Sequence, residues 1–117
     1  MINKNILIRC DASQSIGLGH ITRCLVLANK FRKSKCKVFF AIKNNELAIE
    51  KIKEQQFDML ISNDDNFDYF KWIVDIIEQQ KIDTFIGDIR DGFPIELISY
   101  MKNKNILTVA IDEPSDY

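Results

Sequence analysis

Ile6-Leu7-Ile8-Arg9 is followed by Cys10 and then by Asp11-Ala12-Ser13-Gln14-Ser15-Ile16-Gly17-Leu18-Gly19, after which His20 opens a run to Lys33. The first stretch is short, apolar and β-rich. The second is small, polar and glycine-bearing, which marks a loop. In the third, Ile21, Leu25, Ala28 and Phe31 recur at helical spacing. Strand, loop and helix therefore follow one another in that order.

The alternation continues outward from there. Lys37 to Ile42 reads as a second strand, and Asn44 or Asn45 can cap a helix running to Gln55. Asp58 to Ile61 is a third strand, followed by a polar loop from Ser62 to Asn66. Phe67 to Gln80 is helical, with Phe70, Ile73, Val74 and Ile77 on one face. Thr84 to Asp88 is a fourth strand. Pro94 suits the first turn of a helix ending near Lys104, and Ile106 to Ile111 is a fifth strand. This β(αβ) pattern implies a Rossmann-like, three-layer α/β domain with a parallel five-stranded sheet covered on both faces. A chain of 117 residues suffices for one such domain, spanning 1–117, and is too short for two.

Composition narrows the function classes. Apolar residues at 46% and charged residues at 28% give a globular chain, not a disordered one. A net charge of −1 argues against nucleic acid or an anionic membrane as partner. Met1 to Arg9 is too short and too soon interrupted for a signal peptide, and no apolar run is long enough to span a bilayer, so a cytoplasmic location is expected. Cys10, Cys24 and Cys36 have no CxxC spacing and read as free thiols. With one histidine and no clustered cysteines, no metal is expected.

In an open parallel sheet, ligands bind beyond the carboxyl ends of the strands. Four polar clusters fall there: Asp11 to His20, Asn63-Asp64-Asp65, Asp88-Ile89-Arg90-Asp91, and Asp112-Glu113. The first says most. Gly17 and Gly19 let the backbone approach a ligand, and the following helix aims its free N–H groups at the same place. His20 is a candidate general base at neutral pH, and Arg23 can grip a phosphate or carboxylate. Thr22 stands where the third glycine of the dinucleotide pattern would fall, which argues against a nicotinamide site. Plainer readings exist for each residue. A histidine at a helix start is more often a surface or capping residue, and an arginine on a helix face is usually solvated. Asp88 and Asp112 at strand ends often cap loops. Lys30, Arg32, Lys33, Lys35 and Lys37 complement a helix C-terminus, and Trp72 and the eight phenylalanines read as core.

The stretch from Arg9 through Asp11, Ser13, Ile16, Gly17, Gly19, His20 and Arg23 to Ala28 resembles the N-terminal motif of the pseudaminic-acid pathway UDP-sugar hydrolases and of spore-coat polysaccharide biosynthesis (SpsG-like) proteins. Weaker similarity continues at Asp88 to Asp91 and Val109 to Asp112. The resemblance implies the N-terminal half of a GT-B fold, with a C-terminal nucleotide-binding domain absent from this chain. It implies a UDP-sugar substrate, no cofactor and no metal, with His20 activating water against the anomeric carbon. Asp11, Ser13, Gly17, Gly19, Arg23, Asp88 and Arg90 would be the substrate-binding residues. The family's tyrosine, in an Asp-His-Tyr-like stretch, is replaced by Asp88-Ile89-Arg90, and Arg90 suits a more anionic group. The isolated chain would be inactive or weak. A GT-B glycosyltransferase domain and a non-catalytic nucleotide-sugar binding module are the alternatives. A phosphorelay receiver is disfavoured, since Asp11 lacks an acidic neighbour and Asp112-Glu113-Pro114 stands where a lysine is required.

Overall fold

Asn5-Ile6-Leu7-Ile8-Arg9 forms the central strand β1 (Asn5–Arg9), and its side chains alternate between two cores. Ile6 and Ile8 enter one cluster and Leu7 the other, all fully buried. A strand covered on both faces loses the polar alternation of a surface strand, which is why this stretch is continuously apolar. The computed structural model describes residues 3–11, 19–62, 68–87 and 93–111.

After β1 come α1 (Gly19–Lys33), β2 (Lys37–Lys43), α2 (Glu46–Glu54), β3 (Asp58–Ser62), α3 (Tyr69–Gln80), β4 (Thr84–Gly87), α4 (Ile95–Asn103) and β5 (Leu107–Ala110). The five strands form one parallel sheet in the order β3-β2-β1-β4-β5. One cluster takes Ile21, Leu25 and Ala28 of α1 with Ile52 of α2; the other takes Ile73 and Ile77 of α3 with Leu97 and Met101 of α4. This is the three-layer, Rossmann-like α/β domain expected from the alternation. Phe40 and Phe85 are fully buried, one in each core, and burying a side chain of that size contributes roughly 1.5–3 kcal/mol. Among the described residues no helix is long and apolar enough to cross a membrane.

Element ends differ from the sequence reading by a residue or two, and local hydrogen bonds explain the shifts. β1 starts at Asn5 because its N–H donates to Asp83 Oδ2 at 2.9 Å and its carboxamide to the Gln80 carbonyl at 2.9 Å. Asn45 caps α2 by accepting from Ala48 N at 3.0 Å. Asp68 caps α3 by accepting from Lys71 N at 3.1 Å, so that helix begins at Tyr69; Phe67 lies outside the described residues. Pro94 is the extended N-cap of α4 and not part of its first turn. Ile106 is excluded from β5 because its N–H turns back to the Met101 carbonyl at 2.9 Å.

That last bond belongs to a pattern shared by all four helices. Lys35, Gln56, Lys81 and Asn105 each adopt positive φ, at 65°, 61°, 53° and 59°. Each is followed by a buried apolar residue whose N–H returns to the helix: Cys36 to Phe31 O, Phe57 to Ile52 O, Ile82 to Ile77 O and Ile106 to Met101 O. These are Schellman-type ends, in which the left-handed position favours glycine. The chain has no glycine at any of them. A Cβ in that conformation costs about 1–2 kcal/mol, partly offset by glycine's greater unfolded entropy. Lys81→Gly should therefore raise the unfolding free energy by about 0.5–1 kcal/mol in urea denaturation. A loss of stability would contradict this reading of the turn.

Candidate functional site

β1 leads through α1 to β2 on one side, whereas β4 lies on the other side of β1. α1, which follows β1, packs in one core and α4, which follows β4, in the other. At such a switch in strand order open α/β sheets form the crevice in which they bind ligands. Its margins among the described residues are Arg9, Cys10 and Asp11 from β1, Gly87 from β4, and Gly19 and His20 opening α1.

Arg9 is the best-defined group there. Its register neighbours are Ala41 on β2 and Gly87 on β4, both small. A Cβ added to Gly87 would sit 3.2 Å from Arg9 Cβ and 3.1 Å from the Phe85 ring, so glycine makes the room. The guanidinium lies 5.4 Å from the Tyr69 ring centroid and 5.2 Å from that of Trp72. It donates from Nε to the Tyr69 hydroxyl at 3.1 Å, and from Nη1 to the Cys10 and Ala41 carbonyls at 3.0 and 3.3 Å. Nη2 reaches Asp11 Oδ2 at 2.7 Å. Only 7% of the side chain is exposed. Burial works against the charge, but Asp11 and Tyr69 outweigh it and hold the guanidinium pKa above its ordinary value.

Asp11 is thereby committed to the scaffold. Its second oxygen accepts from Lys43 N at 2.9 Å, so one carboxylate ties the end of β1 to the end of β2. Behind it, the Cys10 thiol is pushed well upward by its hydrogen bond with Cys24 and by burial. Thiols of that kind are structural and unreactive. All three cysteines are free, as the sequence implied, and all three are buried.

Asp11, Gly19, His20 and Arg23 are brought to the same end of the sheet. His20 is 6% exposed, so it is not a solvated surface residue, while Arg23 is exposed on the next turn. A Cβ built on Gly19 meets nothing within 4 Å among the described residues. No acidic residue occupies the first turn of α1, whereas α2 and α4 carry Glu46 and Glu96 there. Ser13, Gly17, Asp88 and Arg90 lie outside the described residues, as do Asn63-Asp64-Asp65 and Asp112-Glu113. Tyr69 was not singled out from the sequence, and Arg9 only as the first residue of the motif. A cation closing an apolar run, with an acid two residues on, was the available signal.

No family model matches the chain. A 62-residue stretch is 39% identical to an uncharacterised protein of Methanocaldococcus jannaschii, covering 52% of this chain and only 13% of that protein. The fold is similar to that of a universal stress protein from Archaeoglobus fulgidus, with a TM-score of 0.54, 14% identity and 96% of each chain covered. These findings correct the hydrolase expectation. A solved structure that the chain resembles is a universal stress protein, matched over nearly its whole length by this one five-stranded unit. Neither comparison points to a UDP-sugar hydrolase, a GT-B glycosyltransferase or a nucleotide-sugar binding module. The UDP-sugar substrate, the absent C-terminal partner domain and the role in polysaccharide synthesis fall with that expectation.

The Arg9 arrangement makes a stability prediction. Removing Asp11 leaves a buried cation without its carboxylate, so Asp11→Ala should cost about 2–4 kcal/mol, since water can reach part of the gap. Adding Arg9→Met to that variant should recover part of the loss in urea unfolding. Losses that simply add would show that the two residues do not act as a pair.

Proposed function

We propose that this domain binds a small phosphate- or carboxylate-bearing molecule in the crevice beyond β1 and β4. One observation carries the reading. The N-terminus of α1, with no acidic residue in its first turn and room for a Cβ at Gly19 among the described residues, stands at the switch in strand order. The positive dipole end of this helix favours an anion.

The placement of glycine supports the same location. All four glycines follow the two strands that flank the crevice: Gly17 and Gly19 after β1, Gly87 at the end of β4, and Gly92 before α4. In this reading Gly19 permits close approach, His20 offers a hydrogen-bonding imidazole, and Arg23 offers charge. Ser13, Gly17, Asp88 and Arg90 belong to the same two connections in sequence and complete the candidate set. Asp11 acts on the ligand only indirectly, by fixing how the chain leaves β1.

Gly19→Asp separates this role from a structural one. A carboxylate in the first turn of α1 complements the dipole, so thermal stability should hold or rise. It also repels an anion, so affinity for pyrophosphate, ATP or citrate in calorimetric titration should fall at least about tenfold, or 1.4 kcal/mol. Unchanged affinity in a folded variant, or no binding of any of the three by the unmodified chain, would overturn the proposal.

A further inference from the structure

The strand entries lie at the end of the sheet opposite the crevice, and four of them share one local pattern. A left-handed residue precedes a buried apolar one and then a third residue: Lys35-Cys36-Lys37 into β2, Gln56-Phe57-Asp58 into β3, Lys81-Ile82-Asp83 into β4 and Asn105-Ile106-Leu107 into β5. The third position is a carboxylate at β3 and β4, a leucine at β5 and an ammonium at β2 alone. β1 enters through Lys4 and through Asn3, which is also left-handed at φ 59°. Asn5 pairs with Lys37 in the sheet, and Lys37 N donates to Lys4 O at 2.9 Å. Asn3 and Lys35 therefore stand at matching places on adjacent strand entries.

Between these two entries runs a groove of about 380 Å³, lined by Asn3, Lys4, Asn5, Lys35, Cys36 and Lys37. Lys4, Lys35 and Lys37 are all exposed, and among the described residues none of their ammonium groups forms an ion pair. No acidic side chain lines the groove. Asp58 and Asp83 stand at the neighbouring entries, and Asp83 Oδ2 already accepts from Asn5 N at 2.9 Å. The dipole of α1 does not account for these lysines. Lys30, Arg32 and Lys33 complement it in the last turn, and its effect fades beyond that turn. Lys35 and Lys37 lie past the helix, and Lys4 belongs to another strand. Three like charges gathered without a counter-charge repel one another, and an anionic occupant relieves that repulsion.

The chemistry of the groove selects the kind of anion. No arginine lines it, so the bidentate grip suited to phosphate is missing. Arg32 is engaged nearby with the Gln55 carbonyl at 2.9 Å and the Phe57 ring at 3.9 Å. No aromatic ring lines it either, so nucleic-acid bases find no stacking surface. An exposed lysine contributes little to any one ion pair, so a single small anion gains little here. An occupant must carry several carboxylates along one chain. The Asn3 carboxamide makes no hydrogen bond among the described residues and is placed to meet a peptide backbone group.

We infer that this groove docks an extended, carboxylate-rich segment of a partner protein, whose acidic side chains reach Lys4, Lys35 and Lys37.

Fluorescence anisotropy of a labelled hexaglutamate peptide, titrated with the full chain at low salt, tests this. Binding should saturate, and it should weaken as salt is added. A Lys4→Glu, Lys37→Glu variant should lose affinity at least about tenfold. A Lys51→Glu, Lys53→Glu variant changes the net charge equally but on α2, and should stay within about twofold of the unmodified chain. All four positions are exposed, and circular dichroism establishes that each variant is folded. Should the first variant not fold, Lys35→Gln decides, with an expected loss of about threefold. In a ¹⁵N-labelled sample the peptide should shift the amides of Lys4, Lys35, Cys36 and Lys37 most. No binding, equal losses in the two charge-reversed variants, shifts confined to Gly19 to Arg23, or tighter binding of an oligothymidylate of the same length would overturn the inference.

Discussion

The Arg9 guanidinium sits at the apolar end of a buried strand, and the Asp11 carboxylate holds it there as a charge. Neither residue makes sense alone. An arginine so placed needs an anion and several acceptors, and it finds them in Asp11, Tyr69 and two backbone carbonyls. The same carboxylate also takes the Lys43 N–H. Three elements, β1, β2 and α3, are thereby fixed to one another where the chain leaves the sheet. The small residues Ala41 and Gly87 beside Arg9 are part of the same constraint, since a larger neighbour at Gly87 would meet the arginine stem.

The two ends of the sheet are built differently. At the end where helices return to strands, each turn needs a left-handed residue, and the chain spends no glycine there. It accepts strain at Lys35, Gln56, Lys81 and Asn105 instead. At the opposite end stand Gly19 and Gly87, and in the sequence Gly17 and Gly92 fall in the same two connections. Glycine is therefore not distributed by turn geometry alone. In the proposed reading, a backbone that must come close to a bound molecule is the second demand on its placement.

Much of the fold was legible because parallel strands buried on both faces read as unbroken apolar runs, and the helices between them keep a 3.6-residue stripe. The ends were less legible. Asp68 and Asn45 as caps, Pro94 as a cap instead of a first-turn residue, and Ile106 folded back onto α4 depend on single hydrogen bonds. At the candidate site the loop around Gly19 and His20 was visible as composition. The Arg9 cage was not, because Tyr69 lies sixty residues further along the chain. The hydrolase assignment rested on the loop after β1. That segment has to satisfy the demands of a strand-to-helix connection in many α/β proteins, so it carries less about chemistry than its length suggests.

The central claim is that anions bind where α1 begins, at the crevice between β1 and β4. Mapping backbone amide shifts in a ¹⁵N-labelled sample during titration with pyrophosphate tests it most directly. The account predicts saturating shifts at Asp11, Gly19 to Arg23 and Gly87, with Lys35, Gln56, Lys81 and Asn105 at the other end unmoved. Shifts confined to that other end, or spread over both without saturation, would contradict it.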